Sequence, residues 1–317
     1  WAVEIIDQTK LPHSFEIHRL ETVTAAAQAI SDMLVRGAPL IGATAAYGMA
    51  LAVRGDASDA AIARAYSELL ATRPTAVNLR WALDDMRAVL GNAPPGERVA
   101  LAYGRASQIC DEDVAICRAI GEHGAALITE VWHSKEATDE DSARVNVLTH
   151  CNAGWMAAQD WGTATSPIYI GAREGMNPFV WVSETRPRLQ GARITAWEMV
   201  NEGIDHRLIA DSAGAQLMRQ RKVDIVITGA DRIAANGDAA NKIGTYSHAL
   251  AARANGIPFY IAAPLTTFDT DTPDGESIPI EERDEDEMIF VEGLTDTGEI
   301  QRVRVPPLET KVVNPAF

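Results

Sequence analysis

Five short runs rich in aliphatic residues alternate with longer helical stretches between Val145 and Ala263. The runs are Val145 to Thr149, Phe179 to Ser183, Arg207 to Ala210, Asp224 to Thr228 and Phe259 to Ala263. Parallel strands cannot be joined by a tight turn and need a crossover, usually a helix. This alternation therefore predicts βαβ units and an α/β fold: a Rossmann-like parallel sheet with helices on both faces, over residues 144–317. No GxGxxG follows any of the runs, so nothing marks a dinucleotide site. The tail adds two short β runs, Met288 to Val291 and Val303 to Val305.

The part before this sheet reads differently. Val3-Glu4-Ile5-Ile6 and Phe15-Glu16-Ile17 flank Leu11-Pro12-His13, the pattern of a short β-hairpin. An alanine-rich helical region follows, to about residue 129. Pro and Gly punctuate it at Arg36 to Pro39, Thr72 to Pro74 and Ala93 to Gly96. The expected division is a mainly helical domain over 1–130 and a catalytic domain over 144–317, with polar, acidic Glu130 to Ala143 as the linker.

Composition excludes several functions. Of 317 residues, 28 are Lys or Arg and 44 are Asp or Glu, a net charge of −16. A nucleic-acid partner needs clustered cations, so none is expected. A small phosphate needs only a few local arginines and stays admissible. No apolar stretch is long enough to span a membrane. No signal-peptide pattern is found, although the chain opens at Trp1 without a methionine, which leaves room for a leader or tag ahead of it. The three cysteines, Cys110, Cys117 and Cys151, form no CxxC and suit a reducing, cytoplasmic compartment. Cys110 and Cys117 lie seven apart in a helical stretch and are expected on one buried face. No metal-ligand spacing occurs, so no metal is expected.

In an open parallel sheet, ligands gather where the strands end. The five runs lead into Cys151-Asn152-Ala153-Gly154, Glu184 to Gly191, Asp211 to Gly214, Gly229-Ala230-Asp231-Arg232 and Pro264 to Thr267. A thiol, carboxylates, arginines, a glutamine and a lysine thus converge on one crevice. Cys151 either packs, as free cysteines often do, or does chemistry there. Asp231 follows an apolar strand, where burial raises a carboxyl pKa and keeps a proton available. The alternative is an N-cap, but Ile233 to Gly237 reads as a loop and Asp238 as the better cap. Asn241 and Lys242 are expected in the first turn of the helix through Tyr246 to Ala252. A lysine there opposes the helix dipole unless an anion sits beside it. Arg36, Gly37 and Ala38 read either as an anion nest or as a simple helix break. Arg73 can grip phosphate or lie exposed. His150, next to Cys151, points to the opposite strand face and is expected to be structural. The acidic run Glu281 to Glu287 reads as a solvated loop. The tryptophans read as core or rim, with one or two available to wall an apolar pocket.

Together, Val35 to Pro39, Arg73 to Leu79, Leu148 to Gly154, Glu184 to Gly191 and Thr228 to Ile233 resemble the methylthioribose-1-phosphate isomerases. That family is shared with initiation factor 2B regulatory subunits and ribose-1,5-bisphosphate isomerases. The resemblance runs from Asp7-Gln8-Thr9 to about Arg283, and five motifs in order make it specific. It implies conversion of 5-methylthioribose 1-phosphate to 5-methylthioribulose 1-phosphate in methionine salvage, with no metal and no organic cofactor. Cys151 and Asp231 would be the catalytic pair. Arg36, Gly37, Ala38, Arg73, Gln190, Asn241 and Lys242 would hold the sugar phosphate. It also implies a homodimer. Alternatives are a related pentose phosphate, either ribose 1,5-bisphosphate or 5-deoxyribose 1-phosphate, and a non-catalytic sugar-phosphate sensor. Two departures stand out. Ser183 replaces an expected acidic residue, and the chain stops at Phe317, where relatives usually continue for a few residues.

Overall fold

The computed structural model describes residues 1–73, 76–135 and 144–317. An antiparallel hairpin opens the chain, β1 (Val3–Ile6) with β2 (Ile17–Leu20). Its second strand lies later than Phe15 to Ile17, because the Asp7 to Ser14 turn uses more chain than the apolar pattern suggests. Five helices follow: α1 (Val23–Ser31), α2 (Ala38–Gly55), α3 (Asp59–Thr72), α4 (Val77–Gly91) and α5 (Arg98–Ser134). The predicted breaks appear. One more falls at Gly55 to Ser58, where the Ser58 hydroxyl accepts from the Ala61 N–H and caps α3.

Helix α2 is the axis of this part and packs on α1, α3, α4 and α5. Nearly all of its middle is buried, from Ile41 through Val53. Only small side chains let four neighbours approach one helix so closely, which accounts for the alanine-rich composition. Helix α5 has 37 residues and is about 55 Å long at ~1.5 Å per residue. Ala102, Ala106 and Ile109 of α5 join the helical core, whereas Ile128 joins the sheet core. The expected linker is therefore helix up to Ser134, and residues 136–143 of it lie outside the described residues.

The rest of the chain supplies the sheet: β3 (Val145–Thr149), α6 (Ser166–Arg173), β4 (Pro178–Ser183), α7 (Ala196–Asn201), β5 (Asp205–Ile209), α8 (Ala213–Arg219), β6 (Ile225–Thr228), β7 (Arg232–Ala234), β8 (Ala239–Ala240), α9 (Thr245–Asn255) and β9 (Phe259–Ile261). After them come β10 (Phe268–Asp269), α10 (Asp286–Ile289), β11 (Phe290–Leu294) and β12 (Ile300–Arg304). Met288 to Val291 is thus the end of a helical turn and the start of a strand. The five-stranded parallel sheet has the order β5-β4-β3-β6-β9.

Alternation along the strands serves two cores. Val145, Val147, Val180, Val182, Ile225 and Ile227 point to the face covered by α5, α6 and α7. Leu148, Trp181 and Val226 point to the face covered by α8 and α9. The predicted fold class is therefore observed: a helical part with a short hairpin, then a parallel sheet with helices on both faces. The chain runs from β3 outward through β4 and β5, then returns to lay β6 and β9 on the other side of β3. That reversal makes a topological switch point between β3 and β6, where a crevice must open.

Two glycines of α5 give a paired test. Nothing lies within 4 Å of a Cβ added at Gly104, whereas one at Gly124 would meet the rigid Pro167 ring at 2.3 Å. Gly104→Ala is expected to stabilise by about 1 kcal/mol through helix propensity. Gly124→Ala is expected to destabilise, because overpacking of about 1–3 kcal/mol exceeds that gain. Urea denaturation of both variants checks the pair, and stabilisation by Gly124→Ala would contradict this packing.

Candidate active site

A cavity of about 1270 Å³, counted to its open mouth, lies over the switch point. Cys151, which follows β3, and Asp231, which follows β6, both line it. So do Arg36, Gly37, Ala38, Arg73, Gln190, Asn241 and Lys242. Every residue singled out from the sequence as a site candidate reaches this one cavity.

Cys151 stands in a left-handed conformation, φ 66°, which re-aims its side chain after the strand. Two threonines hold the peptide there. The Cys151 N–H donates to Thr185 Oγ1 at 2.8 Å, and the Thr195 hydroxyl donates to the Cys151 carbonyl at 2.6 Å. Burial pushes the thiol up against the pull of Lys242, so it stays protonated at neutral pH. Burial likewise raises the Asp231 carboxyl, opposed by Lys242 and Arg73. Asp231 is not an N-cap. Its N–H donates to the Ala240 carbonyl at 2.9 Å, and the chain continues into β7 rather than a loop. The site thus pairs a carboxyl and a thiol, and burial pushes the pKa of each upward.

The anion side comes from the helical part. Gly37 caps α2 with φ 101°, and a Cβ on it would lie 2.4 Å from Ala157. Only glycine lets the start of α2 close onto the turn after Cys151. The free N–H groups of that helix end and the Arg36 guanidinium face the cavity, an arrangement suited to phosphate. Burial draws the Arg36 pKa down, although a guanidinium remains charged at neutral pH.

Asn241 and Lys242 are not in a helical turn. They precede α9, which starts only after Gly244 (φ 105°). Lys242 donates to the Ala316 carbonyl at 3.0 Å. His150 donates from Nε2 to the Ile243 carbonyl at 2.7 Å and so steadies the lysine loop from below. It is fully buried, in keeping with a structural role. Asp238 is exposed in the turn before β8 and caps no helix. Gln190 enters the cavity from the start of a π-helical turn, Gly191–Thr195, with its Oε1 buried and unpartnered.

The acidic run is not simply a solvated loop. Glu281 accepts from Arg73 at 3.4 Å and from Arg283 at 3.0 Å. Glu287 accepts from Arg283 and from Arg188, each at 2.8 Å. Burial disfavours ionising Glu287, but the two guanidiniums override it and hold its carboxyl at about 2. Arg73, Arg188 and Arg283 all line the cavity. Neither Trp155 nor Trp197 lines it. They pack against each other, centroids 5.6 Å apart, and Trp197 stacks on Phe15 of the hairpin. Apolar lining comes instead from Met33, Ile41, Val77, Ile278 and Pro279. Cys117 is buried and Cys110 half-buried, so only one sits fully in the core.

Asp211, expected at the crevice, does not line the cavity but holds the loop after β4, and Glu198 was missed from the sequence. Asp211 accepts from the N–H groups of Thr185 and Arg186 and from the Ser183 hydroxyl, at 2.7, 2.8 and 2.5 Å. This gives Ser183 a partner in place of the acidic residue expected there. Glu198 is fully buried behind Cys151-Asn152-Ala153-Gly154, and burial raises its carboxyl to about 7. No group of metal-ligating side chains forms among the described residues.

The Initiation factor 2 subunit family profile matches residues 34–317. The chain belongs to that family. A methylthioribose-1-phosphate isomerase of Gluconobacter oxydans is 53% identical over 317 residues, covering 100% of this chain and 85% of that protein. One of Methylorubrum extorquens is 56% identical with the same coverage. Within the family, 5-methylthioribose 1-phosphate isomerase from Pyrococcus horikoshii OT3 superposes with a TM-score of 0.83 at 40% identity, over 99% of this chain and 84% of that one. A protein named translation initiation factor eIF-2B, subunit delta, from A. fulgidus gives 0.79 at 39% identity, over 99% and 87%.

His248 provides a pH test of the layer beneath the site. Burial, with His150 close by, lowers its pKa from 6.5 to about 4. Between those values the unfolded chain binds a proton that the folded chain refuses, so stability falls as pH drops through that window. The loss is on the order of 3 kcal/mol. Glu198, with its raised pKa, acts oppositely in both proteins and cancels in a difference. Wild type is therefore expected to lose more stability than His248→Gln between pH 7 and pH 4.5, measured by denaturant unfolding. Equal losses would contradict this reading.

Proposed function

We propose that this chain is an aldose–ketose isomerase that converts 5-methylthioribose 1-phosphate to 5-methylthioribulose 1-phosphate in methionine salvage. One observation carries the reading. A carboxyl and a thiol, each with its pKa raised by burial, stand at the ends of β6 and β3 in one cavity that Arg36, Gly37 and Ala38 also line. The relatives named for this reaction support it.

A sugar with phosphate on its anomeric oxygen cannot open to the aldehyde unaided. Asp231, kept protonated by burial, donates to the ring oxygen and opens the ring. Cys151 then assists transfer of hydrogen from C2 to C1, keeping its proton until the reaction calls for it. Arg36, with the N–H groups of Gly37 and Ala38, takes the phosphate, and Arg73 adds charge from the far wall. Gln190, Asn241 and Lys242 orient the sugar, and the buried Gln190 Oε1 is available to accept a hydroxyl.

The cavity favours one phosphate over two. Arg73, Arg188 and Arg283 share Glu281 and Glu287, so a second phosphate would find one unmatched charge among them rather than three. A 5-methylthio or 5-deoxy group meets the apolar lining instead. A purely sensing subunit would have no use for a carboxyl and a thiol whose ionisation burial opposes. We take residues 1–130 and 144–317 as the two domains, with the cavity where they meet. We take the working form to be a cytoplasmic homodimer with a small sugar phosphate as its substrate.

Cys151→Ser and Asp231→Asn are each expected to lower kcat by at least ~10²-fold, the low end for general acid–base groups. Near-wild-type turnover in either would sink the assignment. Arg73→Ala is expected mainly to raise KM. Turnover in deuterium oxide separates two routes for the hydrogen. Deuterium at C1 means a proton relay through an enediolate, and its absence counts strongly against that route.

A further inference from the structure

Glu198 is unexplained by the mechanism above. It sits in α7, wholly out of contact with solvent, yet it carries a carboxylate. Oε1 accepts from the Met156 N–H at 2.9 Å and from the Asn152 amide at 3.1 Å. Oε2 accepts from the Tyr169 hydroxyl at 2.9 Å. All three donors approach from outside α7, and two of them belong to the turn that carries Cys151. A buried carboxylate is costly unless such bonds satisfy it, so its presence here calls for a role.

The bonds continue toward the reacting thiol. The Asn152 amide also donates to Thr195 Oγ1 at 3.2 Å, and the Thr195 hydroxyl donates to the Cys151 carbonyl. On the other side, Met156 opens the turn to Ala157, the residue against which Gly37 packs. The Met156 carbonyl in turn accepts from Gln8 Nε2 at 2.6 Å, tying in the hairpin. Gly154 has no room for a side chain, since a Cβ there would come within 1.6 Å of Glu198 Oε2. The loop is thus shaped to lie directly on the carboxylate.

We propose that Glu198 is a positioning residue for the reaction: by bonding the Met156 N–H and the Asn152 amide at once, it sets the Cys151 thiol in register with the Arg36–Ala38 anion nest. Its second oxygen locks the carboxyl to Tyr169 of α6, so the loop is referenced to the sheet core. The catalytic consequence rests on the isomerase reading, but the positioning itself does not.

The test compares wild type, Glu198→Gln, Glu198→Ala and Thr195→Val with two readouts. The first is steady-state kinetics on 5-methylthioribose 1-phosphate. The second is the rate of Cys151 alkylation by iodoacetamide, with Cys151→Ser as the blank. Gln keeps an acceptor for the loop and can donate to Tyr169, so Glu198→Gln should retain wild-type kcat and alkylation rate. Glu198→Ala should lower kcat by about 10²-fold, the scale of a misplacement near 1 Å, and should change the Cys151 alkylation rate. A folded Glu198→Ala with wild-type values in both readouts overturns the proposal. So does a Glu198→Gln that falls as far as the alanine variant. If thermal unfolding shows that Glu198→Ala does not fold, Thr195→Val decides, because it cuts the path from Asn152 to the Cys151 carbonyl and leaves Glu198 in place. Wild-type kcat and alkylation rate in that variant overturn the proposal. If the wild type itself does not turn over this sugar, the isomerase reading fails, and the alkylation rates alone still decide the positioning role.

Discussion

The reversal of chain direction between β3 and β6 is the constraint from which the rest of this molecule follows. Both faces of the sheet are buried, so neither strand can slide or flip without exposing Val147 on one face or Leu148 on the other. The connections after β3 and after β6 must then leave in opposite directions. The chain leaves both strands through small residues, Ala153 and Gly154 on one side, Gly229 and Ala230 on the other, and all four line the cavity. Cys151 and Asp231 stand beside them. Their meeting is a consequence of topology and would hold for almost any residues placed there.

Desolvation then decides what those residues can do. In water the carboxyl of Asp231 would be ionised and useless as an acid at neutral pH. Enclosure by the helical part raises it, and raises the thiol with it. The same enclosure makes loose cations costly, and this explains the carboxylates of the acidic run. Glu281 and Glu287 offset two of the three arginine charges at the cavity wall. Among the described residues no carboxylate forms an ion pair with Arg36, and Arg36 lies beside the helix end best suited to an anion. The charge pattern is therefore uneven across the cavity.

Much of this was legible in the sequence. The inner strands β3, β4 and β6 are buried on both faces and had to be aliphatic runs, and the more exposed β5 and β9 still fall within two residues of expectation. Loop placement at strand ends follows from topology, so the arrival of Cys151, Asp231 and Gln190 at one cavity was legible without a structure. What was not legible depends on long-range packing. The Glu281 to Glu287 run looks solvated until Arg73 and Arg188 arrive from some 100 to 200 residues away. Asn241 and Lys242 were placed in a helix because nothing local shows that Gly244 takes a left-handed turn first. The tryptophans were read as core or rim with one or two free to wall a pocket, but none lines the cavity, and Trp155 packs on Trp197, which hairpin residue Phe15 covers. Glu198 occupies an ordinary helical position, and only the missing side chain of Gly154 hints at what lies beneath it.

Close backbone seams flank Cys151, one between the helical part and the sheet and one within the sheet part. Gly37 rests on Ala157, and Gly154 rests on Glu198. Neither place has room for a methyl group. Interfaces of this kind have few alternative packings, since a shift of one ångström either clashes or strips a buried hydrogen bond. Side-chain contacts also join the parts: Gln8 with the Met156 carbonyl, Asn78 with Thr266, and Arg73 with Glu281. The place of Cys151 relative to Arg36 is therefore set by backbone seams that leave no room for a methyl group, with buried polar pairs reinforcing them.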